Sequence, residues 1–204
     1  MDDRSKNINN FRPEIILIAA STGGPTALEK ILAKIHVDFP APILIIQHNP
    51  AYFLQTLAKR LNRVCRLRVK IAENRETISA GTAYIAPDGL HLKISTKNRF
   101  FFDDSPPVNG IRPAADVLFE SVADNFYGHD VLVIILTGMG NDGKEGLARL
   151  KEKKTCFCLV QSEKTCVIYG MPKAAADDGL ADKILDLEDI PLEMENFNYL
   201  RKVS

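Results

Sequence analysis

EIILIAASTGGPTALEKILAKI, residues 14–35, decides the fold. Apart from Glu14, residues 14–19 are a short, continuous apolar run, which is how a strand buried on both faces reads. Ser21-Thr22-Gly23-Gly24 then breaks the run, and Pro25 suits a first helical position. Ala27, Leu28, Ile31, Leu32 and Ile35 follow at the spacing of a single apolar helix stripe. A buried strand, a glycine-rich turn and an amphipathic helix form the first half of a βαβ unit.

Outward from this stretch the same rhythm returns. PILIIQ (42–47) and VLVIIL (131–136) repeat the strand signature, and CFCLVQ (156–161) is a weaker example. Phe53, Leu54, Leu57 and Leu61 form a helical stripe after Pro50, Val117, Leu118 and Val122 another after Pro113, and Leu147 and Leu150 follow Gly143. Strands alternating with helices imply an α/β fold, doubly wound, with a mainly parallel sheet and helices on both faces. The stretch 66–104 departs from this rhythm. RLRVKI, TAYIAP, LHLKIS and RFFFDD are joined by turn residues and read as antiparallel hairpins at one edge of the sheet. Residues 188–202 read as a C-terminal helix interrupted near Pro191. Residues 1–13 are polar and unpatterned, a tail or linker remnant, which leaves 14–204 as a single domain.

Composition narrows the function. A chain of 204 residues supports one substantial core, and 46% hydrophobic with 25% charged residues is ordinary for a globular protein. Lys plus Arg is 26 and Asp plus Glu is 26, a balance that argues against nucleic acid but says nothing about how charge is distributed. Cys65, Cys156, Cys158 and Cys166 lack paired zinc spacing and read as reduced thiols. No secretory signal is evident and no apolar run approaches the roughly 20 residues of a membrane helix, so a cytoplasmic chain with no membrane insertion is expected. Nothing in the sequence sets an oligomeric state.

Three polar residues stand just beyond the carboxyl ends of three expected parallel strands: Ser21, His48 and Asp142. That edge is where ligands and catalytic groups collect in open α/β sheets. A serine needs a base to become nucleophilic, and the base needs an orienting acid. Each residue also has a plainer reading. Ser21 suits a turn or helix cap, His48 a structural histidine, and Asp142 a cap for the helix carrying Leu147 and Leu150. The residues alone leave both readings open. The order Ser, His, Asp and the lack of a Gly-x-Ser-x-Gly elbow exclude the usual lipase arrangement. The turn after the first strand is neither a dinucleotide fingerprint nor a P-loop.

ILIAASTGGPTAL (16–28), IIQHNP (45–50) and LTGMGNDGKEGL (136–147) resemble the catalytic domain of chemotaxis protein-glutamate methylesterases, the CheB type. AGTAYIAPDGLHL (80–92), PPVNGIRPAADVLFESVA (106–123) and VIYGMPKAA (167–175) resemble the same family in the same order, so the likeness covers roughly 14–190. The resemblance implies Ser21 as nucleophile, His48 as general base and Asp142 as the acid that orients it. It implies the backbone N–H of Met139 as an oxyanion donor, with Thr22, Gly23 and Gly24 bringing further backbone donors. Arg112 and Met171-Pro172 fall at supporting positions. It also implies hydrolysis of glutamate methyl esters, with glutamine deamidation as a second activity, no metal or organic cofactor, and the methylated chemoreceptor cytoplasmic domain as partner. Family members usually carry a receiver domain ahead of this one, and residues 1–13 are too short for it.

Departures from the family pattern are Ala19 for a usual glycine, Asn49 for a methionine, and Lys153-Lys154-Thr155 for a Gly-containing turn. Thr22 is a rival nucleophile; His36, His91 and His129 are rival bases; Asp103, Asp104 and Asp116 are rival acids. None of these rivals is as well placed on the strand ends. The alternative to an esterase is a non-catalytic binding module on the same fold, which would show no turnover dependent on Ser21.

Overall fold

The computed structural model describes residues 11–199. Its strands are β1 (Ile15–Ala20), β2 (Ile43–Gln47), β3 (Arg68–Ile71), β4 (Thr82–Ile85), β5 (His91–Ile94), β6 (Phe100–Asp103), β7 (Asp130–Ile135), β8 (Thr155–Gln161) and β9 (Lys183–Leu185). Its helices are α1 (Gly24–Leu32), α2 (Ala51–Val64), α3 (Ala115–Asn125), α4 (Lys144–Lys153), α5 (Met171–Asp177) and α6 (Ile190–Tyr199). Seven strands form one parallel sheet in the order β3-β4-β2-β1-β7-β8-β9.

The strand at the centre shows why the sheet is doubly wound. Every residue of β1 is buried, and side chains alternate between faces. Ile16, Ile18 and Ala20 pack with α1, α2 and α6, whereas Ile15, Leu17 and Ala19 pack with α3, α4 and α5. A buried Ile or Leu contributes about 1.5–3 kcal/mol relative to an exposed one, so this strand holds both layers at once. The helices bury the stripes expected of them, Ala27, Leu28, Ile31 and Leu32 in α1, and Leu54, Leu57, Ala58 and Leu61 in α2.

The 66–104 region is arranged differently from the expected edge hairpins. Two of its runs, β3 and β4, join the main sheet in parallel. Only β5 and β6 pair antiparallel, as a separate two-stranded sheet. That pair covers a face of the main sheet instead of extending its edge, with Leu92, Ile94 and Phe100 in the core beside Tyr84. The Tyr84 and Phe100 rings meet edge to face at 4.9 Å. The physical sign was the run TAYI, buried at all four positions, which suits an interior parallel strand.

Two smaller expectations also change. Pro191 lies in the first turn of α6, where its missing N–H costs nothing, so it begins the helix instead of interrupting it. Residues 200–202 of that expected helix, and 1–10 of the expected tail, lie outside the described residues. Phe11 is not tail: it is buried against Phe157 and Phe197, with ring centroids 5.9 and 5.2 Å away. A lone aromatic in a polar stretch has no periodicity to announce it. Among the described residues, no helix is long and apolar enough to cross a membrane.

Candidate active site

Register places the site. β1 pairs with β2 so that Ala20 lies beside Gln47. The next residues, Ser21 and His48, therefore leave neighbouring strands side by side, at a strand spacing of about 4.8 Å. The backbone N–H of His48 still donates to the Ala20 carbonyl at 3.2 Å. On the other side of β1, Ser21 N–H donates to the Thr137 carbonyl at 3.0 Å, which fixes the loop after β7. α1 leaves toward one face of the sheet and α4 toward the other, opening a crevice at the carboxyl ends of β1 and β7.

Asp142 lies in the loop between β7 and α4, and its carboxylate is 3% exposed. One oxygen, Oδ2, lies 2.9 Å from His48 Nε2 and accepts the Ala115 N–H at 2.6 Å. The other, Oδ1, accepts the Asp116 N–H at 3.1 Å. Asp142 thus caps a helix, but the helix is α3, not the α4 that directly follows it. Two orphan N–H groups of the α3 first turn are satisfied by this one side chain. An ionised carboxylate only accepts, so His48 Nε2 carries the proton and Nδ1 holds the lone pair. Nδ1 is then the nitrogen left to take a proton from a neighbour.

Asp116, set aside on sequence grounds, lies beside this carboxylate. It is buried in the first turn of α3 and accepts the Gly146 N–H of α4 at 2.8 Å. Asp142 ahead of α4 caps α3, while Asp116 in α3 caps α4. Burial above all, with the charge of Asp142 adding to it, pushes the Asp116 carboxyl up to about 6.

Ser21 is held by close backbone approaches. Gln47 is fully buried, and its Nε2 donates to the Ser21 carbonyl at 2.9 Å and to Asn49 Oδ1 at 2.7 Å. Asn49 therefore uses its polarity to steady the glutamine that holds the Ser21 loop. Gly138 is required by space: a Cβ there would lie 2.9 Å from Ser21 Cβ and 2.4 Å from Met171 Sδ. Thr137 Oγ1 donates to the Thr22 carbonyl at 2.9 Å and accepts the Val167 and Ile168 N–H groups at 3.1 and 3.0 Å. The Gly170 and Met171 N–H groups both donate to the Gly138 carbonyl, so the 167–171 segment braces the loop after β7.

The remaining expected residues divide into two groups. The backbone N–H groups of Thr22, Gly23 and Met139 donate to no described residue. Those of Thr22 and Gly23 directly follow Ser21, and that of Met139 directly follows the glycine packed on Ser21. Gly23 adopts φ 85° and so turns the chain into α1. Arg112 stands apart, donating through Nη1 to the carbonyls of Asp104 and Ser105 at 2.7 and 3.0 Å. It holds a loop and makes no hydrogen bond to the cluster. Among the rivals, His36 and His129 are exposed. His91 is buried with both ring nitrogens engaged, near the Pro106 carbonyl and the Ala114 N–H. Asp103 pairs with Lys93. Ala19 is accommodated without exposure, and Lys154 donates to the Phe126 and Gly128 carbonyls at 2.5 and 3.1 Å, tying the α4–β8 junction to the loop after α3.

Gln47 and Thr137 were missed, and Asp116 was set aside, because nothing local marks their roles; each acts on a segment distant in sequence. None of the four cysteines forms a disulfide among the described residues; Cys156 and Cys158 are buried and the others half-buried.

Comparison with known proteins identifies the family. The family described as CheB methylesterase matches residues 16–194. A protein-glutamate methylesterase/protein-glutamine glutaminase of Halalkalibacterium halodurans is 48% identical over 181 residues, 87% of this chain and 52% of that protein. One from Nitratidesulfovibrio vulgaris is 46% identical over 189 residues, 91% of this chain and 51% of that protein. The chain thus spans about half the length of the curated relatives it matches. The crystal structure of the Thermotoga maritima CheB methylesterase catalytic domain aligns with a TM-score of 0.86 at 37% identity, over 90% of this chain and 98% of that one. On the family match over 16–194, these relatives and the shared parallel-sheet fold, the chain belongs to the CheB methylesterase family.

Proposed function

We propose that the chain is a serine hydrolase that demethylates glutamate methyl esters on bacterial chemoreceptors, with the cytoplasm as its compartment. The observation that carries this reading is the 2.9 Å contact of His48 Nε2 with Asp142 Oδ2, beside a serine set by strand register. Ser21 Oγ attacks the ester carbonyl while His48 Nδ1 takes its proton. The developing oxyanion is met by the unpartnered N–H of Met139 and those of Thr22 and Gly23, each worth on the order of 3 kcal/mol. His48 returns the proton to the leaving methoxide, releasing methanol and a glutamyl ester of Ser21. Water, deprotonated by His48, then attacks that ester, giving glutamate and free Ser21. Asp142 keeps the His48 tautomer and stabilises the imidazolium in both steps.

The same sequence of steps applied to a primary amide releases ammonia, so we assign glutamine deamidation to the same site. Arg112 supports the site by holding the 104–105 loop. No step draws on a metal or an organic cofactor. The test is methanol release from the methylated chemoreceptor cytoplasmic domain by the wild type and by Ser21→Ala. We expect the variant to fold normally and to lose several orders of magnitude in rate. Retained activity would transfer the nucleophile to Thr22 or end the reading, and no release by either protein would favour a binding module.

A further inference from the structure

The chain is formally neutral, but its charge is not evenly spread. Residues 39–72 contain no Asp or Glu, while six lysines and arginines fall between 59 and 70. α2, β3 and the connection that holds Arg66 carry them, with the Val69 N–H donating to Asn62 Oδ1 at 2.8 Å. Two of the six are neutralised: Arg60 by Glu29 at 2.7 Å, and Lys70 by Glu73 and Glu76 at 2.6 and 2.8 Å. Lys59, Arg63 and Arg66 are exposed and form no ion pair with a described residue. Arg68 is exposed too and feels Glu73 only at longer range. The acidic C-terminal stretch is different, since Asp177, Asp178, Asp182, Asp186 and Glu188 each have a lysine partner. Within 59–70, the positive charge left without an ion pair to a described residue therefore lies along α2 and its junction with β3.

Its position relates it to the site. α2 begins three residues after His48. Tyr52, Thr56, Lys59 and Arg63 recur at helical spacing on its exposed side, and Tyr52 is 75% exposed. A helix of 14 residues is about 21 Å long. This face therefore runs from the mouth of the crevice to the basic cluster. Lys59 and Arg63 stand one turn apart, a like-charge spacing that destabilises a helix and that an anionic partner would relieve.

We propose that the exposed face of α2, from Tyr52 to Arg63 and on to Arg66, docks the acidic stretch of the protein substrate that flanks the reacting glutamyl ester. The proposal rests on the methylesterase reading of the site. Charge complementarity identifies the occupant: a segment that offers glutamate side chains for esterification is acidic wherever those side chains are free. Each hydrolysis also adds a carboxylate to it. Tyr52 supplies an amphipathic contact next to the crevice, and the cations hold the more distant part of the segment.

The test is Lys59→Glu/Arg63→Glu in the full chain, with thermal melting as the check on folding. Two substrates are compared, the methylated chemoreceptor cytoplasmic domain and the small ester N-acetylglutamate γ-methyl ester. We expect KM for the receptor domain to rise about tenfold or more at low salt, with kcat and small-ester hydrolysis unchanged. The difference should shrink at about 0.5 M salt, where screening shortens the reach of surface charge. A receptor KM within about twofold of wild type would overturn the docking surface. So would charge-dependent binding to phosphatidylglycerol vesicles with an unaltered receptor KM, which would assign the patch to a membrane. Failure of the esterase reading looks different: wild type and Ser21→Ala would then hydrolyse neither ester. In that case, anisotropy of labelled receptor domain on Ser21→Ala, with and without the charge reversals, still decides. Equal binding, or none, would refute the proposal.

Discussion

Replacing Asp142 with Asn preserves the shape of the side chain but turns one acceptor oxygen into an NH2 donor. Three donors converge on the native carboxylate: the Ala115 N–H and His48 Nε2 on Oδ2, and the Asp116 N–H on Oδ1. If the amide oxygen takes the Oδ2 position, two donors are kept and the Asp116 N–H is opposed by NH2. If it takes the Oδ1 position, NH2 opposes both the Ala115 N–H and His48. The first orientation is the cheaper, and it leaves one buried N–H unpaired at about 1–3 kcal/mol. For a chain of this size that lowers Tm by about 2–12 °C.

Activity falls for a separate reason. The full negative charge beside the His48 imidazolium is lost, an attraction of about 4 kcal/mol for unit charges 4 Å apart near a protein surface. Since part of this is recovered by the amide dipole, we expect a decrease of about 10²–10³-fold in kcat. The assays are methanol release from methylated receptor domain and thermal unfolding of the same preparation. Activity within about fivefold of wild type would refute the role given to Asp142. An unchanged Tm would refute its role as the cap of α3.

Two further outcomes follow from neighbouring residues. Gly138→Ala places a methyl group 2.9 Å from Ser21 Cβ, so Ser21 must move, and if it is the nucleophile we propose, kcat should fall at least about tenfold while the chain still folds; wild-type kcat in a folded variant would show that the loop gives way instead. Asp116 has its carboxyl raised to about 6 by burial, so its contribution to stability is complete below the unfolded value of about 4 and is lost as pH rises through about 6. Asp116→Asn stays neutral throughout. The Tm of wild type relative to this variant should therefore decline between pH 4 and 7, and a difference constant with pH would contradict the assignment.

The sheet was legible because burial on both faces leaves a local trace. IILIAA, ILIIQ and DVLVII needed no partners to be read as interior strands. The strand-end positions of Ser21 and His48 followed from the same runs, since a residue just past a parallel strand lies at the ligand-binding edge. The family likeness then supplied roles that the spacing alone had left open. Strand length and apolar runs did not separate β3 and β4 from the true hairpin of β5 and β6, because short β-rich runs joined by turns look alike until their partners are known.

What only the tertiary structure decided is how distant segments hold the site. Asp142 reads in sequence as a cap for the helix that follows it, yet its carboxylate closes α3, whose first turn begins 27 residues earlier. Asp116 answers from α3 to the Gly146 N–H of α4. Gln47 holds the Ser21 carbonyl across the β1–β2 pair, and Gly138 has no side chain because Ser21 occupies that space. Phe11 joins the core through Phe157 and Phe197. The physical reason is the same in each case. Periodicity and propensity are properties of neighbours along the chain, whereas satisfying a buried donor or excluding a Cβ depends on groups that only packing brings together.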